Sequence, residues 1–199
     1  MPSAEETRRR ILDAAVRRIA REGIDEVRLA RIATDARVSP ALVSYHFDSR
    51  EALLVEALEH SYELAGSART ALVADGSARE RLEAMVEACL PAPGDQRDDW
   101  LLWVELWLRA ARNPEMRPTA ARLYARMRDW FADAIASGVE SGELVAAMEP
   151  GRLADRIVAL SDGYGVRVLI GDGAVTFDRA REEVLAAAPD HPRSSSTRR

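Results

Sequence analysis

Apolar residues along this chain recur at steps of three and four, and short polar caps separate one run from the next. Residues so spaced share one face of a turn of about 3.6 residues, so the pattern commits the backbone to helices. Ser3 and Glu6 have the spacing of a capping box, and Leu12, Ala15, Val16 and Ile19 form a stripe that Gly23 closes. A short second helix carries Leu29, Ile32, Ala33 and Ala36. A third opens at Ser39-Pro40, a hydroxyl N-cap followed by a proline whose missing N–H costs nothing there. Val38 and Val43 stand at the two positions of a hydrophobic staple. Asp48 or Ser49 caps a fourth helix bearing Leu53, Leu54, Ala57, Leu58 and Leu64, which runs to about Asp75-Gly76.

Ser77 and Glu80 open a fifth helix with Leu82, Met85, Val86 and Cys89, and Pro91, Pro93 and Gly94 break the chain after it. The stretch from Asp99 to Arg112 is apolar around most of its middle, which predicts a helix buried on most faces. After the turn at Asn113-Pro114 and Pro118, a seventh helix carries Leu123, Met127, Trp130, Phe131, Ala134 and Ile135 and ends near Gly142. Pro150 opens an eighth with Leu153, Ile157, Val158 and Leu160. Thr176 caps a ninth with Phe177, Ala180, Val184 and Leu185. With no alternating run to make a strand, the expectation is an all-α fold of about nine helices.

Composition narrows the function classes. A single cysteine in 199 residues rules out an internal disulfide and suits a reducing cytosol. The first residues have no apolar run of the kind a signal peptide needs, and no stretch reaches the ~18 apolar residues of a membrane span. A cytoplasmic chain is expected. The net charge of −5 is unevenly spread: residues 1–50 are net +2 and the remainder net −7. A mildly basic head on an acidic body suits contact with phosphate through the head alone.

Leu29 to Phe47 is the informative segment. Short helix, tight turn and a second short helix make the layout of a helix-turn-helix, whose second helix enters the major groove, and of any small helical hairpin as well. On the third helix Leu42, Val43 and Phe47 can face the core, leaving Ala41, Ser44 and Tyr45 outward.

Residues carry the choice further. Arg10-Ile11-Leu12-Asp13-Ala14-Ala15, Glu22-Gly23, Ile32-Ala33, Val38-Ser39-Pro40 and the run Tyr45 to Leu54 together resemble the DNA-binding domain of the tetracycline-repressor-like (TetR) family, over roughly residues 8–58. The pattern Trp103-Val104-Glu105-Leu106-Trp107, Ala110 to Pro114, Ala154 and Leu160-Ser161-Asp162-Gly163 looks like the ligand-binding domain of the branch that includes the choline-responsive repressor of betaine synthesis.

The resemblance implies a homodimeric repressor that binds a palindromic operator and leaves it when a small molecule binds. It implies a helix-turn-helix domain over residues 1–48 and a ligand-binding and dimerisation domain over 49–188; the polar tail at 189–199 reads as disordered. DNA contacts fall on Arg28, Arg37, Ser39, Pro40, Ala41, Leu42, Ser44, Tyr45, His46 and Arg50, with Phe47 as a core anchor. Three departures stand out. Arg37 occupies a turn position where the family usually has glycine, so either the turn differs or the arginine tolerates a left-handed backbone, where it also gains a chance of touching phosphate. Ser44 replaces a common tyrosine, and Val27-Arg28 a common Thr-Ser pair.

In the body, Met85, Cys89, Trp103, Trp107, Tyr124 and Met127 are the candidate ligand lining, and core packing at helical spacing accounts for them equally. Trp100, Trp103 and Trp107 could also form an aromatic cage for a cation. Glu105 and Arg109 are spaced as an i,i+4 pair. Asp162, Gly163, Val166, Phe177, Ala180 and Val184 are the expected dimer contacts, through helices eight and nine. The glycines of Asp162-Gly163-Tyr164-Gly165 mark either close helix approach or a helix break. His60 and His191 lack partners at metal spacing, so no metal site is expected. No nucleophile–base pair or phosphate loop appears, so neither enzymatic activity nor a cofactor is expected. The rival from another class is a helical binding protein without DNA function.

Overall fold

The computed structural model describes residues 3–23, 25–72, 76–92 and 94–189. The expected end of the fourth helix at Asp75 and the tail from 190 onward lie outside them. Among the described residues there are nine α-helices and no β-strand: α1 (Ala4–Glu22), α2 (Leu29–Asp35), α3 (Pro40–His46), α4 (Arg50–Leu72), α5 (Ala78–Ala88), α6 (Asp95–Arg112), α7 (Arg117–Glu140), α8 (Pro150–Leu169) and α9 (Phe177–Leu185). A 3₁₀ turn, Pro114–Met116, joins α6 to α7 and is set by the Asn113 side chain, which accepts from the Glu115 N–H at 3.0 Å.

Local chemistry decides where these helices start. Ser3 accepts from Glu6 N–H at 3.0 Å, Ser49 from Ala52 N–H at 3.0 Å and Thr176 from Arg179 N–H at 3.2 Å. Ser77 and Glu80 close a reciprocal capping box, and these bonds hold the Glu80 carboxyl below the usual carboxylate range. At α8, Glu149 rather than a hydroxyl residue caps ahead of Pro150, accepting from Gly151 and Arg152 N–H at 2.9 and 3.0 Å. Each such cap contributes about 1 kcal/mol.

The chain forms two compact units. The first holds α1 to α3, α4 as far as Ala65, α6, the 3₁₀ turn and α7 as far as Leu123. Its core joins Ile11, Ala15 and Ile19 of α1, Ile32 and Ala33 of α2, Val43 and Phe47, Leu53, Leu54 and Ala57 of α4, and Leu102 and Leu106 of α6. Burying each larger side chain contributes roughly 1.5–3 kcal/mol. α6 is less deeply buried than its sequence predicts: Leu102 and Leu106 are sealed, while Leu108 is exposed. Arg109 does not pair with Glu105. It forms an ion pair with Asp25, in the loop ahead of α2, which ties α6 to the connection between α1 and α2.

The second unit holds the end of α4, α5, α7 from Tyr124, α8 and α9. Leu82 and Val86 of α5, Phe131 and Ile135 of α7, Leu153, Ala154 and Ile157 of α8, and Ala180 and Val184 of α9 are buried in it. α8 runs unbroken through Gly163 and Gly165, so the glycines mark no helix break. Ala180 and Val184 are expected among the dimer contacts. Both are fully buried within the single chain, where α9 packs on α8 and α5, so their side chains belong to the protomer core.

Candidate nucleic-acid interface

The helix-turn-helix is assembled from residues close in sequence. α2 starts after Arg28, whose side chain makes no capping bond. α2 ends in a Schellman motif: Val38 N–H donates to Ala33 O at 2.9 Å and Arg37 N–H to Thr34 O at 3.1 Å. That motif needs a left-handed residue at Arg37, and Arg37 adopts it with φ 55°. The arginine therefore tolerates the conformation that glycine usually supplies, at about 1–2 kcal/mol. Ser39 then caps α3 by accepting from Leu42 N–H at 3.2 Å, with Pro40 in the first turn.

Two apolar anchors fix the rotation of α3. Val43 is fully buried and Phe47, at its C-terminal cap, is nearly so. With that face inward, Ser39, Pro40, Ala41, Ser44 and Tyr45 face solvent, Tyr45 being 80% exposed, while Leu42 and His46 are half-buried. The Tyr45 and His46 rings meet edge-on at 5.4 Å. Arg28 and Arg37 are exposed and Arg50 is half-buried at the start of α4. The ten expected contact residues thus lie on α3, its leading turn and the starts of α2 and α4, all in the first unit. They supply hydroxyls, a phenol, an imidazole and guanidinium donors, the groups that reach phosphates and base edges.

α1 braces this surface with three arginines that sequence reasoning did not single out. Arg18 makes a fork on Asp35 at the end of α2, with N–O distances of 2.5 and 2.9 Å, and also pairs with Glu22. Glu22 in turn accepts from Arg31 at 3.0 Å. These bonds push the Arg18 guanidinium up and hold the Asp35 and Glu22 carboxyls below their usual range. Arg8 pairs with Glu56 and sets its guanidinium 5.0 Å from the centre of the Phe47 ring. Arg10 donates to backbone carbonyls of the turn before α3. Apart from the i,i+4 pair Arg18–Glu22, these partners lie 17 to 48 residues away and give no local spacing signal, and an arginine on a helix face otherwise reads as solvated.

The candidate ligand residues divide between the units. In the first, Trp100, Trp103 and Trp107 gather on α6: Trp107 lies edge-on to Trp100 at 5.7 Å and 6.3 Å from Trp103, and Tyr62 of α4 meets Trp103 at 6.2 Å. In the second, Cys89 Sγ lies 3.9 Å from Met127 Sδ, Met85 is buried, and Tyr124 donates to Asp162 at 2.7 Å. Burial pushes the Asp162 carboxyl up to about 6, against the lowering effect of the Tyr124 hydroxyl. Of the other expected dimer residues, Gly163 is exposed, and Asp162, Val166 and Phe177 are half-buried.

A helix-turn-helix presenting polar side chains from a capped, anchored second helix defines a DNA-binding regulator. Comparison with known proteins agrees. Residues 11–57 match the family of bacterial regulatory proteins of the tetR type, and residues 78–191 match the C-terminal region of the BetI-type transcriptional repressor. The BetI regulator of Brucella anthropi is 27% identical over 168 residues, 84% of each chain. A solved TetR-family regulator from Rhodococcus sp. superposes with a TM-score of 0.82 at 31% identity, covering 92% of this chain and 96% of that one. A regulator from Saccharomonospora viridis, solved in complex with choline, gives a TM-score of 0.79 at 35% identity, covering 94% of this chain and all of that one (100%). The chain belongs to the TetR family of transcriptional regulators, with a BetI-type C-terminal region. It is a regulator and not an enzyme.

Proposed function

We propose that this chain is a cytoplasmic repressor that binds a palindromic operator as a homodimer and leaves it when a small cationic effector binds. The observation that carries the DNA half is the outward row Ser39, Ala41, Ser44 and Tyr45 on a helix pinned by Val43 and Phe47. Residues 1–48 act as the head, 49–188 as the ligand-binding and dimerisation body, and 189–199 as a tail. Two copies would place their α3 helices in successive major grooves, ~34–36 Å apart.

A stripe on α8 supports dimerisation through that helix: Ala159, Gly163 and Ile170 are exposed and Val166 half-buried, all on one face. A Cβ built on Gly163 meets nothing within 4 Å, so this surface leaves room for a second helix to come close.

For the effector, the relative solved with choline supports a quaternary ammonium ligand. The indole and phenol rings of Trp100, Trp103, Trp107 and Tyr62 supply what such a cation seeks, because each ring face carries negative quadrupole density. Met85, Cys89, Tyr124 and Met127 form a second candidate lining in the other unit. Ligand and operator then oppose one another reciprocally, with a coupling of ~1–3 kcal/mol, or roughly 5–150-fold in affinity. The test is titration of choline into the protein–operator complex. The proposal expects release at millimolar choline or below, and a Trp103→Ala variant that still binds operator but needs more choline. Release by choline that is unchanged in Trp103→Ala would move the effector site away from α6. No response to choline would overturn the effector assignment.

A further inference from the structure

The turn that sets the angle of α3 contains the only left-handed non-glycine residue among the described residues, Arg37 at φ 55°. Its Schellman bonds involve the N–H groups of Arg37 and Val38. The carbonyls of Ala36 and Arg37, at the negative end of α2, need donors from elsewhere. Arg10 supplies them. From the middle of α1, its half-buried guanidinium donates through Nη2 to Ala36 O at 2.5 Å and reaches Arg37 O at 3.5 Å. Two residues past Arg37, Ser39 begins the cap of α3. A cationic donor on α1 therefore holds the carbonyl that precedes the strained residue and reaches toward the one that follows it, immediately ahead of the helix that reads DNA.

We propose that Arg10 is the positioning residue of the helix-turn-helix: it holds the left-handed turn at Arg37 and so fixes the entry angle of α3, without itself touching DNA. The inference rests on the operator-binding reading. It also accounts for how this chain carries arginine at the left-handed position of a Schellman turn, where glycine is the usual residue. Glycine takes a left-handed conformation without penalty, whereas arginine takes it only where surrounding bonds over-determine it.

The test is a double-mutant cycle on operator affinity, read at several salt concentrations. Arg10→Met is expected to weaken operator binding on the order of tenfold, the scale of one hydrogen bond from a charged donor. In the Arg37→Gly background the same substitution is expected to cost less than about threefold, because the turn then forms unaided. Arg10→Lys, which keeps one charged donor, is expected to recover part of the loss. The slope of log affinity against log salt should stay unchanged in Arg10→Met, whereas loss of a direct phosphate contact would reduce it by about 0.9. Equal losses in both backgrounds, or a reduced slope, would overturn the inference. A wild-type chain with no sequence-preferring DNA binding would instead overturn the reading beneath it.

Discussion

Ser39→Ala tests whether the α3 cap sets operator affinity. Ser39 Oγ accepts from Leu42 N–H at 3.2 Å, and α3 has only seven residues, of which Val43 alone is fully buried. A helix so short has little besides its cap and its anchors to stop it fraying. Losing a serine cap costs about 1 kcal/mol. For a chain of this size that lowers the melting temperature by roughly 2–4 °C. At about 1.4 kcal/mol per decade, the same loss weakens each half-site by up to about fivefold and a two-site complex by up to about 25-fold. Ser39→Asp separates the cap from direct contact: aspartate caps about as well as serine, but its charge opposes nearby phosphates. Melting should recover in Ser39→Asp while operator binding falls further than in Ser39→Ala. The measurements are thermal unfolding by circular dichroism and equilibrium fluorescence anisotropy with a labelled operator. A Ser39→Ala protein with lowered melting and operator affinity within twofold of wild type would refute the argument that the cap positions the reading helix.

Other residues extend the test. Tyr45 is 80% exposed, so Tyr45→Ala should leave melting nearly unchanged and weaken operator binding by about tenfold or more, as measured by anisotropy. Phe131 is fully buried in the second unit, and Phe131→Ala should destabilise the fold by roughly 3–5 kcal/mol in urea unfolding. Asp162 has its folded-state pKa raised from 3.8 to about 6, so the fold favours the protonated acid and the ionised carboxylate opposes folding at neutral pH. Asp162→Asn, which keeps an acceptor for Tyr124, should melt above wild type at pH 8. That difference should disappear as pH falls through about 6 to the unfolded value of 3.8.

The features legible in the sequence were those whose partners lie within one turn of helix. Ser3, Ser39, Ser77 with Glu80, and Thr176 cap the helices their spacing indicated, and Ser49 settled the choice left open against Asp48. At Arg37 the sequence left open a different turn or an arginine in the left-handed region, and the structure has the second, while the burial of Val43 and Phe47 was legible through helical periodicity. What depends on distant partners was not. Glu105–Arg109 had ideal i,i+4 spacing, yet Asp25 wins Arg109 because the fold brings the loop ahead of α2 to α6. Ala180 and Val184 are expected at the dimer interface, and in the single chain both are buried where α9 packs on α8 and α5, a packing that small and branched apolar residues suit as well as they suit an interface. The roles of Arg8, Arg10 and Arg18 appear only when α1 lies across the motif.

The central claim is that this chain recognises DNA through α3. Its most direct test is anisotropy of the purified protein with the DNA flanking its own gene, against a scrambled duplex, at two salt concentrations. The account expects tight binding that prefers the native sequence by at least about a thousandfold, the low end of specific recognition, and weakens steeply with salt. Tyr45→Ala should cut that preference by about tenfold or more. Equal weak binding to both duplexes, with random-sequence selection yielding no preferred site, would contradict it.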